Sequence, residues 1–227
     1  PGDDPPQCQG SPQIERLQPY GDVKLFETAP ASELEKVARA RDATAIINSR
    51  SAVKWPADVI RQLPRLEMMT VCGIGTDAID LEECRARGIV VSNIPGKTAP
   101  VVAEHAFRLM FATAKHAAYQ TEKVKSGQWH KVDAMFLQGK TVGIIGTGNI
   151  GAEMARLCQT IGMNVIAWTF HPSEERAGEL GIRYVELDEL LRVSDVVSMH
   201  LKQTPESIHL LGERELRLMK PGAILVN

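Results

Sequence analysis

The run TVGIIGTGNIGAEMARLCQTIG, residues 141–162, decides the fold of its half of the chain. Its first five residues are apolar or small without a polar alternation, the pattern of a strand covered on both faces. An amphipathic helix follows, and between the two lies Gly146-Thr147-Gly148-Asn149-Ile150-Gly151. A glycine string of this spacing can serve close packing alone, but a strand before it and a helix after it make the reading specific. Gly146 allows the tight strand-to-helix turn, Gly148 lets backbone amides approach a pyrophosphate, and Gly151 lets the helix lie close to the strand. Asn149 and Ile150 begin the helix, whose amino end favours negative charge. The ligand this arrangement predicts is a dinucleotide.

Downstream the strand–helix rhythm repeats, with strands predicted at MNVIAW, RYVEL, DVVSMHL and AILVN and helices at SEERAGELG, LDELLRVS and ERELRLMK. Five strands with crossover helices imply an α/β domain built on a parallel, doubly wound Rossmann sheet. Ligands of such sheets gather at the carboxyl ends of the strands, here Gly146, Thr169, His200 and Asn227. His200 reads as a hydrogen-bonded wall residue in preference to a proton donor. A NAD site normally carries an acid at the end of its second strand, which here runs instead into Thr169, Phe170 and His171. Two readings stay open: Thr169 hydrogen-bonds the ribose of NAD, or His171, Ser173 or Arg176 contacts the 2′-phosphate of NADP.

Upstream, helices are predicted at IERLQPYG, ASELEKVARARD, ADVIRQLPR and LEECRARG, and strands at DVKLFE, ATAIINS, EMMTVCGIG and IVVSN. This smaller α/β layer closes near Pro95 and Gly96. A single long helix is then predicted over 98–125, apolar on almost every face of its first half and therefore buried on several sides. The boundary falls at its start, giving domains 1–97 and 98–227.

Of 227 residues, 44% are hydrophobic and 24% charged, which excludes disorder and collagen-like repeats. The 26 basic and 28 acidic residues give a net charge of −2 and no field to hold a nucleic acid. No apolar run approaches the ~18 residues of a membrane span, and the first residues lack a signal-peptide pattern, so a cytoplasmic protein is predicted. Cys8, Cys72, Cys84 and Cys158 lack metal-site or CxxC spacing and read as reduced structural thiols, with no metal implied.

The motifs taken together resemble the D-isomer-specific 2-hydroxyacid dehydrogenases, the group that includes phosphoglycerate dehydrogenase, glyoxylate reductase and formate dehydrogenase. The resemblance rests on GKTVGIIGTGNIG (139–151), CGIGTDAIDLEECRARGIVVSNIPG (72–96), VVAEHAFRLMFA (101–112), SRSAVKWPADVI (49–60), LDELLRVSDVVSMHLKQTPES (187–207) and ELRLMKPGAILVN (215–227). It implies a NAD- or NADP-dependent oxidoreductase that transfers a hydride between the nicotinamide and a small D-2-hydroxy acid or 2-oxo acid. Residues 1–97 become part of a flavodoxin-like substrate domain, and 98–227 a nucleotide domain without its C-terminal part.

By the same resemblance, the amides of Ile74 and Gly75 hold the substrate carboxylate, and consecutive amides in a glycine-flanked turn do form an anion nest. Arg50 and Ser51 match the family's Arg-Ser step, where an arginine could supplement carboxylate or phosphate binding; a plain surface arginine is the other reading. Val102 is placed against the nicotinamide, with Val101 replacing the family's usual serine. Leu201, Lys202 and Thr204 line the adenosine side. The family's catalytic Arg, Glu and His are expected after the position of Asn227, so no catalytic residue is assigned within the chain. A homodimer through the nucleotide domain is also implied, with helix 98–125 contributing. Some relatives of this fold are non-catalytic corepressors that sense dinucleotides, which is the alternative function.

Overall fold

In the computed structural model, which describes residues 2–3, 8–49 and 52–227, the chain divides after Thr98 into two units. The first contains α1 (Pro12–Glu15), α2 (Glu33–Ala40), β1 (Ala45–Ser49), α3 (Ala57–Ile60), β2 (Met68–Cys72), α4 (Leu81–Ala86) and β3 (Val90–Ser92). Its strands form a parallel sheet in the order β1-β2-β3, with Ala45 opposite Met68 and Met68 opposite Val90. Trp55, Ile60, Leu63, Met69 and Val71 fill its core. Side-chain caps start three of its helices: Ser11 Oγ accepts from the Gln13 amide at 3.3 Å, Ser32 Oγ from the Glu35 amide at 3.2 Å, and Asp80 Oδ1 from the Glu83 amide at 2.9 Å.

One expected strand is not formed among the described residues. Residues 22–27 belong to no strand, and Val23 and Leu25 stay 40% and 39% exposed. Their alternation is that of a half-buried strand, but among the described residues the one backbone hydrogen bond to this stretch comes from Asp3, whose amide donates to the Phe26 carbonyl at 2.8 Å. A strand needs a ladder as well as a pattern.

The second unit contains α5 (Ala99–Ala114), α6 (Ala117–Lys125), β4 (Thr141–Ile145), α7 (Asn149–Thr160), β5 (Asn164–Trp168), α8 (Glu174–Leu180), β6 (Arg183–Tyr184), α9 (Leu187–Val193), β7 (Val196–Met199), α10 (Glu213–Leu218) and β8 (Ile224–Val226). All five strands are parallel, in the order β6-β5-β4-β7-β8. The first strand of the unit therefore lies at the centre, and the order reverses beside it, which is where a doubly wound sheet opens a crevice.

Successive residues of β4 supply both faces, as period-two geometry requires. Val142 and Ile144 pack with Met110, Met154 and Ala155 on the side of α5 and α7. Ile145 packs with Leu190, Leu191 and Val197 on the side of α9. Gly143 is required by α9: a Cβ there would lie 2.4 Å from Leu190 Cδ2 and 2.5 Å from Ser194 Oγ. At the amino ends of the strands, Asp195 accepts from the Thr141 amide at 2.9 Å and from Lys220 Nζ at 3.1 Å. Burial alone would raise its pKa, but these donors and Lys140 hold it below the ordinary value.

The single helix expected over 98–125 is two helices. The chain turns at His116, whose φ of 51° is left-handed. No glycine or proline marks the break. Instead the segment leading into β4 returns to the end of α5, where the Met135 amide donates to the Ala114 carbonyl at 3.0 Å and Lys115 Nζ to the Met135 carbonyl at 2.7 Å. The Ala114 carbonyl, freed at the helix end, is thus satisfied by a residue 21 positions away.

Candidate functional site

The glycine turn of the second unit leaves β4 where its last backbone bond, Gly146 amide to Trp168 carbonyl at 2.7 Å, ties it to the end of β5. Gly146 has φ 94°, a conformation L side chains rarely adopt, and a Cβ there would lie 2.9 Å from Leu201 Cδ2 and 3.0 Å from the His200 carbonyl. Gly151 is tighter still, for its Cβ would lie 1.9 Å from the Gly146 carbonyl oxygen. Both glycines are demanded by the fold.

Gly148 differs. It is the N-cap of α7 with φ −66° and ψ −166°, extended backbone open to any residue. A Cβ there meets nothing within 4 Å. Gly148 and Asn149 are exposed, whereas Gly146, Thr147 and Gly151 are buried. No side chain caps the helix and no acid stands in its first turn, so its leading amides are left for solvent or for an anion. Nothing in the protein explains glycine at 148, whereas a pyrophosphate on those amides does, and the residues present fit a dinucleotide on that ground.

Thr147, between the two, is 8% exposed, and its Oγ1 lies 2.7 Å from the hydroxyl of Tyr184. The sequence reading had no signal for this partner, which is 37 residues away on the edge strand β6.

At the end of β5, Thr169 is half-buried and lines a cavity of about 550 Å³ shared with Trp168, Phe170, Tyr184, Glu186 and Glu189. The rings of Trp168 and Phe170 meet edge to face at 4.9 Å. Of the residues considered for a 2′-phosphate, Ser173 caps α8 by accepting from the Arg176 amide at 3.2 Å, and Arg176 Nη1 lies 3.3 Å from Glu179. His171 is exposed.

At the end of β7, the His200 amide donates to the Ile145 carbonyl at 2.8 Å, and its Nε2 lies 2.8 Å from Ser198 Oγ. Burial lowers its pKa to about 4, so the ring is neutral near pH 7 and suited to a wall. Leu201 lies against Gly146. Thr204 begins a turn in which its amide donates to Ser207 Oγ at 2.8 Å and its carbonyl accepts from the amides of Ser207 and Ile208. Val102 stands in the first turn of α5, 41% exposed, and Asn227 follows β8.

In the first unit, Ile74 and Gly75 lie in the turn after β2. The Gly73 carbonyl accepts from the Ile94 amide at 3.1 Å, and the Ile74 carbonyl from Asn93 Nδ2 at 2.7 Å. The carbonyls of the turn are thus drawn onto the protein, and Ile74 is 41% exposed. Arg50 and Ser51 lie outside the described residues.

Residues 107–227 match the family model described as D-isomer specific 2-hydroxyacid dehydrogenase, NAD binding domain. Over 227 residues the chain is 34% identical to the glyoxylate reductase of Thermococcus litoralis, with 94% of this chain and 67% of the relative covered. Over 180 residues it is 41% identical to the D-3-phosphoglycerate dehydrogenase of Archaeoglobus fulgidus, covering 78% of this chain and 34% of the relative. The chain thus spans between one third and two thirds of the length of these relatives. Among solved structures, D-lactate dehydrogenase from Aquifex aeolicus, complexed with NAD and lactic acid, superposes with a TM-score of 0.82 at 30% identity, covering 97% of this chain and 66% of that one. The chain belongs to the D-isomer specific 2-hydroxyacid dehydrogenases, and 107–227 is their NAD-binding domain.

Proposed function

We propose that this chain provides the cofactor-binding part and a portion of the substrate-binding part of an NAD(P)-dependent oxidoreductase acting on small D-2-hydroxy acids or 2-oxo acids. The observation that carries the cofactor reading is Gly148, a glycine with extended backbone at which a Cβ would meet nothing within 4 Å. When bound, the dinucleotide would give a hydride to a 2-oxo acid in its reduced form or accept one from a 2-hydroxy acid in its oxidised form. The amides of Gly148, Asn149 and Ile150 hold its pyrophosphate at the amino end of α7. The Thr169 hydroxyl hydrogen-bonds the adenosine ribose, Leu201 and Thr204 wall the adenosine side, and Val102 lies against the nicotinamide.

In the first unit, the amides of Ile74 and Gly75 hold the substrate carboxylate, with Arg50 and Ser51 supplementing them. The roles assigned within 1–227 are binding roles, and carbonyl polarisation and proton transfer are assigned to none of these residues. Relatives named for glyoxylate, D-3-phosphoglycerate and D-lactate set the assay panel. Full-length protein should change reduced-cofactor absorbance with at least one of these acids or its oxo partner; no turnover with any of them, with either NAD or NADP, would overturn the reading.

The protein is further proposed to act as a cytoplasmic homodimer. Four free cysteines support a reducing location. Trp129 and Phe136, 83% and 66% exposed in the stretch before β4, support association through the second unit. Sedimentation velocity should give twice the chain mass, and a monomer at all concentrations would exclude the dimer.

A further inference from the structure

The turn that receives the pyrophosphate is flanked by glycines, which leave a backbone more freedom than any other residue does. Its one side chain able to restrain it is Thr147. That side chain is turned inward, and its hydroxyl meets the Tyr184 hydroxyl at 2.7 Å. Tyr184 in turn sits opposite Ala167 in the β5–β6 register, and the following amide, of Val185, donates to the Ala167 carbonyl at 2.9 Å. The bond therefore reaches from the edge strand β6, past β5, to the turn at the end of the central strand β4.

Tyr184 is half-buried and packs against the core on the side of α5 and α7. A ring fixed in that way presents its hydroxyl from a rigid support, and few torsions remain through which the bond could give way. The turn has no comparable side-chain tether at Gly148, which has no side chain and begins α7 uncapped.

We propose that Tyr184 is a positioning residue of the dinucleotide site, whose hydroxyl, through Thr147, holds the glycine turn with the α7 amides set to receive the pyrophosphate. This inference rests on the cofactor reading above. Its consequence is preorganisation: without the bond the turn samples other conformations, and part of the ligand's binding free energy is spent on ordering it.

The test is titration of the chain with NADH and NADPH, followed by intrinsic fluorescence, for wild type, Tyr184→Phe, Thr147→Val and Thr147→Ser. Adenosine, which lacks phosphates, serves as the control ligand. The two variants without the bond should bind the better dinucleotide roughly 3- to 10-fold more weakly and exchange the amides of 146–150 faster, and Thr147→Val, which leaves the lining of the Thr169 cavity intact, should bind adenosine unchanged. Thr147→Ser keeps the hydroxyl and should retain wild-type affinity. Combining Tyr184→Phe with Thr147→Val should add little to either loss, because both remove one interaction. If Tyr184→Phe does not fold, Thr147→Val against Thr147→Ser carries the same comparison. Unchanged dinucleotide affinity in Tyr184→Phe and Thr147→Val, or an equal loss for adenosine in Thr147→Val, overturns the inference while leaving the cofactor reading standing. A wild-type chain that binds neither dinucleotide overturns both.

Discussion

The Cβ of an alanine at 151 would lie 1.9 Å from the carbonyl oxygen of Gly146, so the first turn of α7 and the end of β4 approach as closely as backbone allows. Three residues earlier, a Cβ at Gly148 would meet nothing within 4 Å. The two substitutions should separate folding from binding. Gly151→Ala must push apart two pieces of backbone, and such overpacking costs about 1–3 kcal/mol or more; a drop of several degrees in Tm is expected. Gly148→Val should leave Tm near wild type and weaken dinucleotide binding roughly tenfold or more, about 1.4 kcal/mol. Thermal unfolding and titration of both variants check this, and a large Tm loss in Gly148→Val would contradict it.

His200 should give the chain an acid-sensitive step. Its pKa is lowered by burial to about 4, against 6.5 when unfolded. The unfolded chain therefore binds a proton over a range in which the folded chain does not. Stability is greatest above pH 6.5, falls as the pH drops toward 4, and is then constant as far as this group is concerned, with a total loss of roughly 3 kcal/mol. Asp195, whose folded pKa lies below its ordinary 3.8, acts at lower pH: its stabilisation is present above that value and lost as the pH falls through the folded pKa. Denaturant unfolding from pH 7.5 to 4.5 should show the first slope in wild type and a flatter curve in His200→Gln.

The parallel sense of the second sheet, the glycine turn and the strand ends at Thr169 and His200 were legible in the sequence because each is a local pattern: a continuous apolar run, a glycine spacing, a strand-to-helix change. The features that were not legible depend on residues far apart in the chain. The left-handed turn at His116 follows from Met135 returning to the end of α5, and no breaker residue announces it. Residues 22–27 alternate like a strand yet join no ladder among the described residues. Thr147 looked like an arbitrary residue between glycines until Tyr184 was found beside it.

Cofactor choice should be movable at one position. Thr169 ends β5 where a carboxylate would accept from a ribose 2′-hydroxyl and repel a 2′-phosphate. Thr169→Asp should therefore raise the preference for NADH over NADPH by roughly tenfold or more relative to wild type, since placing like charges together costs several kcal/mol. Paired titrations with the two reduced cofactors measure the ratio, and an unchanged ratio would place the ribose elsewhere.

Thiol chemistry should follow burial. Burial raises the Cys158 thiol to about 12 and also raises that of Cys84, and both side chains are nearly inaccessible. Cys72 is exposed, although partial desolvation and the neighbouring Cys8 and Asp3 raise its pKa too. A thiol reagent at pH 8 should modify native Cys72 and leave Cys158 and Cys84 untouched until denaturant is added. Peptide mapping of the labelled protein reads this out, and native labelling of Cys158 would contradict the packing of α7.

The central claim is that a dinucleotide sits on the turn between β4 and α7, and the most direct measurement is calorimetric titration of this chain with NADH and NADPH beside Gly148→Val. Saturable one-to-one binding of at least one of them by wild type, lost or strongly weakened in the variant, is the predicted result. Binding of equal strength in Gly148→Val, or none in folded wild type, would contradict the account.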